Sequence, residues 1–356
     1  MNLVSLSKTK KPERDSNIEL LRIVLMVMVI LHHLIIKCAP DSWNKILLFT
    51  LVNTFAIIAV NCFIFISGYY GIKFKLKSLI SFILQGIFYS VGAYIIYNIL
   101  LSPENFSLVD LVKRFFPLTY PVWWFLNAFV GVYILSPFIN KGIEALKAYQ
   151  AGALILILLY LSCSYPITGN NFYGGGGYGL FTMLLIYIIA RYCGKYIPHI
   201  KRAIPIHIFI YLLTLTLVIG GILLGKEDFA WRLMSYNSPL VILGAVFFFY
   251  CFKKLKLKSR IINKIAPLTF GVYLIHETPD NRFILKNIIQ QVNNAIDNPI
   301  LMFIALIAVA ISVFLICAGI EKVRQLICDP IIDFMDKKTF GLQSKLKTSL
   351  NKITTQ

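Results

Sequence analysis

Four ionisable side chains stand in one apolar stretch near the start of the chain: Glu19, Arg22, His32 and His33. A charged residue at the centre of a membrane-spanning helix costs roughly 2.5–3.5 kcal/mol on insertion scales, so such groups are seldom idle. At about 100° per residue, the path from Arg22 to His33 returns to within about 20° of the same face. Glu19 falls about 40° from His33 on that face, and His32 points well away. With about 1.5 Å of rise per residue, His33 lies about 16 Å beyond Arg22. Glu19 can therefore pair with Arg22 but cannot reach His33. The stripe offers a cation at one end of a wall and, deeper in, an imidazole suited to proton transfer near neutral pH. A second cluster, Tyr273-Leu274-Ile275-His276-Glu277, follows late in the chain. Its His276 falls at a similar depth, so His33, His276 and Glu277 can converge. The bland alternatives are a snorkelling Arg22 paired with Glu19, a His33 bonded to a neighbouring helix, and a Glu277 that merely opens a loop.

The elements that must carry these residues are membrane helices. Of the 356 residues, 58% are hydrophobic and 14% charged, against about 25% charged in ordinary soluble domains. The mean hydropathy is +0.74. Apolar runs near the roughly 20 residues that span a bilayer occur at 18–38, 45–70, 78–101, 119–140, 149–166, 177–197, 204–225, 236–252, 265–290 and 299–320. The ninth is the weakest, because Asp280, Arg282 and Lys286 follow His276. The expected fold is therefore all-α and polytopic, with about ten transmembrane helices. The first run is too long for a signal-peptide core and lacks a small-x-small cleavage site, so it reads as a retained helix. The chain divides into a basic N-terminus (1–17), a ten-helix membrane domain (18–321) and a basic tail (322–356). In the tail, Val323, Leu326, Ile327 and Ile331 recur at the spacing of a surface helix.

Orientation follows from the positive charges. With the N-terminus in the cytoplasm, 26 of the 35 Lys and Arg fall in inner segments and 8 in outer ones, with Arg22 inside the first helix. Both termini are then cytoplasmic and the protein sits in the plasma membrane. The net charge of +19 reads as loops that meet anionic lipid headgroups, and nucleic acid is not an expected partner.

Other features carry less. Cys38, Cys62, Cys163, Cys193, Cys251, Cys317 and Cys328 are scattered, with no C-x-x-C pair. They read as small packing residues, and no metal is required. Trp123, Trp124 and Phe125 fit an interfacial aromatic belt. Gly174 to Gly177 with Gly179 lack the Lys-Ser/Thr ending of a phosphate loop and read as a flexible outer loop. The basic loop 253–264 is most simply lipid-facing, though it could attract an anionic donor.

Several of these stretches together resemble the acyltransferase-3 family of integral membrane acyltransferases. Arg22 and His33 match its R-x10-H signature. Phe63-Ile64-Phe65-Ile66-Ser67-Gly68-Tyr69 resembles its aromatic-rich S-G motif, and Trp123-Trp124-Phe125-Leu126 with Tyr133 and Pro137 resembles its W-F-L…Y…P helix. Tyr273-Leu274-Ile275-His276 resembles its Y-L-I-H motif. The resemblance covers roughly residues 15–320. One departure stands out. Where many members open the third helix with R-x-x-R, this chain reads Lys73, Lys75 and Lys77 followed by Ser78 and Ser81, so a bidentate grip on phosphate is lost.

The resemblance implies transfer of an acyl group, often acetyl from acetyl-CoA, to a hydroxyl of an envelope polysaccharide or its lipid-linked precursor. Acyl-CoA is then a co-substrate and no cofactor is bound. His33 is expected to act as general base or as acyl carrier, with His276 and Glu277 beside it. Arg22, Glu19, Lys73 and Lys77 form the expected donor-binding set. Ser67, Trp124, Tyr133 and Tyr273 form the expected substrate-binding set, with Ser67, Tyr133, Tyr273 or His276 able to donate to an oxyanion. The rivals are a transporter or flippase of a lipid-linked saccharide, which calls for repeats or broken helices in matched halves, and a polysaccharide polymerase, which calls for large outer loops.

Overall fold

The computed structural model describes residues 15–100, 103–170 and 175–353. Among them every regular element is helical, as the composition required. Lys8, Lys10, Lys11, Arg14 and Gly174, which entered the sequence reading, lie outside the described residues.

The first helix, α1 (Ser16–Lys37), is the axle of the molecule. Two thirds of its apolar stretch, 67%, is buried, against 22% for the peripheral helices α7 (Ala148–Ser162) with α8 (Ser164–Thr168) and α10 (Ala203–Leu223). The outward faces of these outer helices expose Leu156, Tyr160, Phe209 and Leu212, the surface that lipid tails cover. Among the described residues, six stretches are long and apolar enough to cross a membrane: α1; α2 (Trp43–Ala56) with α3 (Ala59–Tyr70); α4 (Leu76–Leu100) over Leu76–Ile99; α7 with α8; α10; and the Pro299–Pro330 portion of the last helix. The other runs form helices that fall short of that measure in length or apolar content. They are α6 (Trp124–Ala145), α9 (Leu180–Tyr196), α12 (Pro239–Lys253) and a segmented ninth run. Short helices α5 (Leu108–Arg114) and α11 (Glu227–Leu233) lie in connections. The chain is thus an all-α, multi-pass membrane protein.

The ninth run departs from a simple span. It is α13 (Arg260–Ile265), a 3-10 turn at Ala266–Leu268, α14 (Thr269–His276), and then α15 (Pro279–Ala295). The break falls at Thr278-Pro279 for a local reason. A residue before proline is pushed out of the α region, and Thr278 has ψ 147°. Its Oγ1 accepts from the Asn281 amide at 3.3 Å, an N-cap with proline in the first turn. Helix α14 therefore ends at His276, inside the protein, where Glu277 follows it. The polar α15 buries only Leu285, Ile289 and Asn293 along one stripe.

The tail is also different from a separate surface helix. The last helix, α16 (Pro299–Ile353), runs on without a break through residue 322. Val323, Leu326 and Ile327 are exposed along it, but Glu321 and Arg324 are buried. Glu321 accepts from Tyr89 at 2.6 Å and from Gln85 at 3.1 Å on α4, and from Arg324 through Nε at 2.9 Å and Nη2 at 2.8 Å. A Cβ on Gly271 of α14 would strike the Glu321 carboxylate. This node locks α4, α14 and α16 together below the site.

Close helix contact explains the S-G motif. A Cβ on Gly68 of α3 would lie 2.6 Å from the Ala190 Cβ and 2.7 Å from the Tyr187 carbonyl oxygen on α9. Small residues let apolar helices touch where lipid gives no hydrophobic drive.

The basic loops gather at one end. Asn17 at the start of α1 donates to the Phe252 and Lys253 carbonyls. Lys254 donates to the Lys201 carbonyl, and Lys195 to the Leu146 carbonyl at 3.2 Å. The opposite end carries the Lys37, Lys45 and Arg282 contacts. Segments that charge counting assigned to one side thus share one end of the bundle.

Candidate active site

Helix α1 turns Arg22, Met26, Val29 and His33 onto one face, and all four line a cavity of about 150 Å³. Arg22 and His33 share one wall, as their spacing required, whereas Glu19 of the same stripe does not line it. Helix α3 adds Ser67, α6 adds Trp124, Phe125 and Phe129, and α14 adds Phe270 and Tyr273. His32 points away, as its angle required, and its Nδ1 lies 2.6 Å from Asn53 Oδ1.

At the far end of this wall three residues meet. His33 Nδ1 lies 2.8 Å from Glu277 Oε2 and 3.0 Å from His276 Nε2. His276 Nδ1 lies 2.6 Å from the Val272 carbonyl. A carbonyl only accepts, so the His276 Nδ1 carries the hydrogen, and its neutral Nε2 is an acceptor. His33 Nδ1 then faces two acceptors and carries its own hydrogen. The His33 Nε2, on the opposite side of the ring, is left with a lone pair. Glu277 is held from three sides: by His33, by Lys37 Nζ at 2.9 Å from Oε2, and by Arg282 Nε at 2.5 Å from Oε1. Its side chain is 9% exposed, so this pairing is what keeps a buried carboxylate tolerable.

His33, His276 and Glu277 also offer three ligand atoms within 4.8 Å of one another. Lys37 and Arg282 already bring two positive charges to the one carboxylate, which opposes a divalent ion in a low-dielectric site. The set therefore suits a hydrogen-bonded relay better than a metal centre.

The expected site residues divide. Arg22, His33, Ser67, Trp124 and Tyr273 line the cavity, and His276 and Glu277 stand behind His33. Tyr133 is not on the cavity wall. Its hydroxyl accepts from the Lys75 amide at 2.9 Å and donates to the Lys75 carbonyl at 3.2 Å. That pins the loop between α3 and α4 and leaves no donor for a substrate. Ser67 Oγ donates back to the Phe63 carbonyl at 3.1 Å, so its hydrogen is occupied too. Glu19, Lys73 and Lys77 are not among the cavity-lining residues; Lys73 is exposed and Glu19 and Lys77 half-buried. Tyr273 is the contrasting case: it is 6% exposed, and its hydroxyl has no hydrogen-bond partner.

Sequence reasoning missed Lys37 and Arg282, which had been counted as outer-loop charges. Their adjacency to Glu277 comes from three separate segments, and the sequence carries no spacing signal for it. Trp123 is fully buried and not in an interfacial belt. Gly175–Gly177 form a 3-10 turn rather than a flexible loop. The Gly176 carbonyl accepts from the Tyr236 amide at 3.1 Å, and Gly177 is packed against Tyr236 and Asn237. The seven cysteines are all free, and five are buried.

A second cavity of about 450 Å³ opens at the Glu277 end of the bundle, lined by His32, Asn53, Tyr178, Asp228, Trp231 and Arg232 among others. Trp124, Tyr178 and Tyr236 form the wall between the two cavities, with ring centroids 4.9 to 5.3 Å apart. The His32 and His33 rings, 5.5 Å apart, face one cavity each.

His33, His276 and Glu277 thus meet at the end of a cavity lined from α1, α3, α6 and α14. The sequence model of the acyltransferase-3 family, described as an acyltransferase domain, matches residues 15–320. The chain belongs to that family and is a membrane acyltransferase, transferring acyl groups other than amino-acyl groups. No curated protein and no solved structure matches it.

Proposed function

We propose that the protein is an O-acyltransferase that moves an acyl group, acetyl in the simplest case, from a cytoplasmic acyl-CoA to a hydroxyl of an envelope polysaccharide or its lipid-linked precursor. It works in the plasma membrane with both termini in the cytoplasm. The observation that carries this reading is the His33 ring, tied at Nδ1 to Glu277 and His276 and free at Nε2, about 16 Å along α1 from Arg22 on the same cavity wall.

Arg22 steers the donor, and the acyl-bearing arm lies along the stripe Met26–Val29 toward His33. The acceptor enters through the second cavity, whose aromatic faces and planar polar groups suit a sugar, and reaches His33 when the wall of Trp124, Tyr178 and Tyr236 parts. His33 Nε2 takes the proton of the acceptor hydroxyl as its oxygen attacks the thioester carbonyl carbon. The Tyr273 hydroxyl, buried and unpartnered, donates to the oxyanion. The C–S bond then breaks, and the proton on Nε2 passes to the leaving thiolate. Glu277 holds the His33 tautomer and balances the transient imidazolium, as an acid beside a catalytic histidine does.

The test is base-labile acetate on envelope polysaccharide in cells that carry wild type or His33→Ala at matched membrane expression. Acetate with wild type and none with the variant is the expected result. Equal acetate removes His33 from the chemistry. Acetate no higher than in a deletion strain for either protein turns the case toward transport of a lipid-linked saccharide.

A further inference from the structure

The absent arginine pair, and the placement of Lys73 and Lys77 off the cavity wall, leave the phosphate-bearing end of a CoA-type donor without a seat. Another cleft lies at the same end of the bundle as Arg22. It encloses about 730 Å³ between the start of α1, the end of α3 and the loop after α12, and is lined by Asp15, Asn17, Tyr70, Lys253, Lys256 and Lys258 among others.

The cleft is built rather than left to mobile lysines. Asn17 Nδ2 donates to the Phe252 carbonyl at 3.2 Å and the Lys253 carbonyl at 3.3 Å. Ser16 Oγ accepts from the Ser259 amide at 3.0 Å. Both ends of the loop are thereby fixed to α1. Lys253 Nζ sits 4.5 Å from the Tyr69 ring centroid and 5.8 Å from that of Tyr70, a cation–π placement that fixes its charge at the cleft wall. Tyr70 is 47% exposed, so it still presents aromatic surface. Lys256 and Lys258 are exposed with their ammonium groups available. Asp15 is the one carboxylate on the wall; it lies beside the Tyr70 hydroxyl and offsets one of three positive charges.

The cleft and the active-site cavity share two walls. Helix α1 contributes Asn17 to one and Arg22 to the other, and α3 contributes Tyr70 to one and Ser67 to the other. From Asn17 to His33 is about 24 Å along α1, a distance comparable to an extended phosphopantetheine arm.

We propose that this cleft binds the phosphorylated nucleotide of the donor, with Lys253, Lys256 and Lys258 on its phosphates and Tyr70 against the purine ring. This rests on the acyl-CoA reading above and supplies the donor grip that reading lacks. Lysines bind phosphate as point charges and need no bidentate fork, and aromatic rings stack on bases. The phosphate of an anionic lipid shares part of this chemistry. The purine-sized aromatic surface and the shared walls with the cavity favour the nucleotide.

Adenosine 3′,5′-bisphosphate is titrated onto the full-length protein in nanodiscs of zwitterionic lipid and, in parallel, of lipid with an anionic component. Saturable binding is expected in both. The double variant Lys256→Glu, Lys258→Glu should weaken it about tenfold, the scale of one lost charged contact. Lys256→Arg should retain it, which separates loss of charge from misfolding. No saturable binding to wild type, or equal affinity in the charge-reversed protein, overturns the proposal. So does loss of co-purified anionic lipid, rather than of nucleotide, in that variant. Acetyl-CoA consumption is measured on the same preparations supplied with envelope polysaccharide as acceptor. Nucleotide binding without thioester consumption leaves the cleft assigned and sinks the acyl-CoA reading. Consumption without nucleotide binding does the reverse.

Discussion

His33 Nδ1 lies 2.8 Å from Glu277 Oε2, although one residue stands on the first helix and the other just past the end of the fourteenth. The carboxylate is shared with Lys37 and Arg282. The contact fixes which ring nitrogen of His33 carries hydrogen, and with it which one can accept a proton.

Glu277→Gln preserves size but removes the charge that fixes this tautomer and balances an imidazolium. The expected loss in kcat is about hundredfold or more, within the range for disabling general acid–base catalysis, with KM for acetyl-CoA changed little. Steady-state kinetics on purified protein in nanodiscs measure it. A kcat within threefold of wild type would show that Glu277 is structural only.

Lys37 and Glu277 should be energetically coupled. Lys37→Met leaves Arg282 to hold the carboxylate, and Lys37→Met with Glu277→Gln removes both partners. Thermal stability of the two single variants and the double variant should be non-additive by about 0.5–3 kcal/mol, the usual range for residues in one ion-pair network. Strict additivity would mean the 2.9 Å contact contributes nothing.

Two tyrosines should separate chemistry from scaffolding. Tyr273→Phe removes the unpartnered hydroxyl on the cavity wall, and kcat should fall about a hundredfold or more if it donates to the oxyanion. Tyr133→Phe removes the staple on Lys75. It should cost about 0.5–1.5 kcal/mol of stability and leave kcat nearly as it was. The reverse pattern would return Tyr133 to the substrate and take Tyr273 from it.

Gly271→Ala places a methyl group against the Glu321 carboxylate under α14. Overpacking of this kind costs about 1–3 kcal/mol, so the melting temperature of the detergent-solubilised protein should fall clearly. Because α14 carries His276, residual activity should fall as well. An unchanged melting temperature would mean that Glu321 can move aside and that the node with Tyr89 and Arg324 is loose.

The sequence by itself determined the all-helical membrane class, because 58% hydrophobic residues in long runs have no other solvent than lipid. It also determined that Arg22 and His33 share a wall while His32 does not, since helical rise and twist are fixed by the backbone alone. The break before α15 was missed: hydropathy runs 265–290 together as one span, although Thr278-Pro279 carries the local signal that ends it. What only the tertiary structure decided is who meets whom across helices. Tyr133 spends its hydroxyl on Lys75, Trp123 is sealed inside, and Lys37 and Arg282 converge on Glu277 from distant segments. Such meetings depend on how helices pack and where glycines such as Gly68 let them touch. Apolar periodicity records that a face is buried, but it does not record which side chain stands opposite.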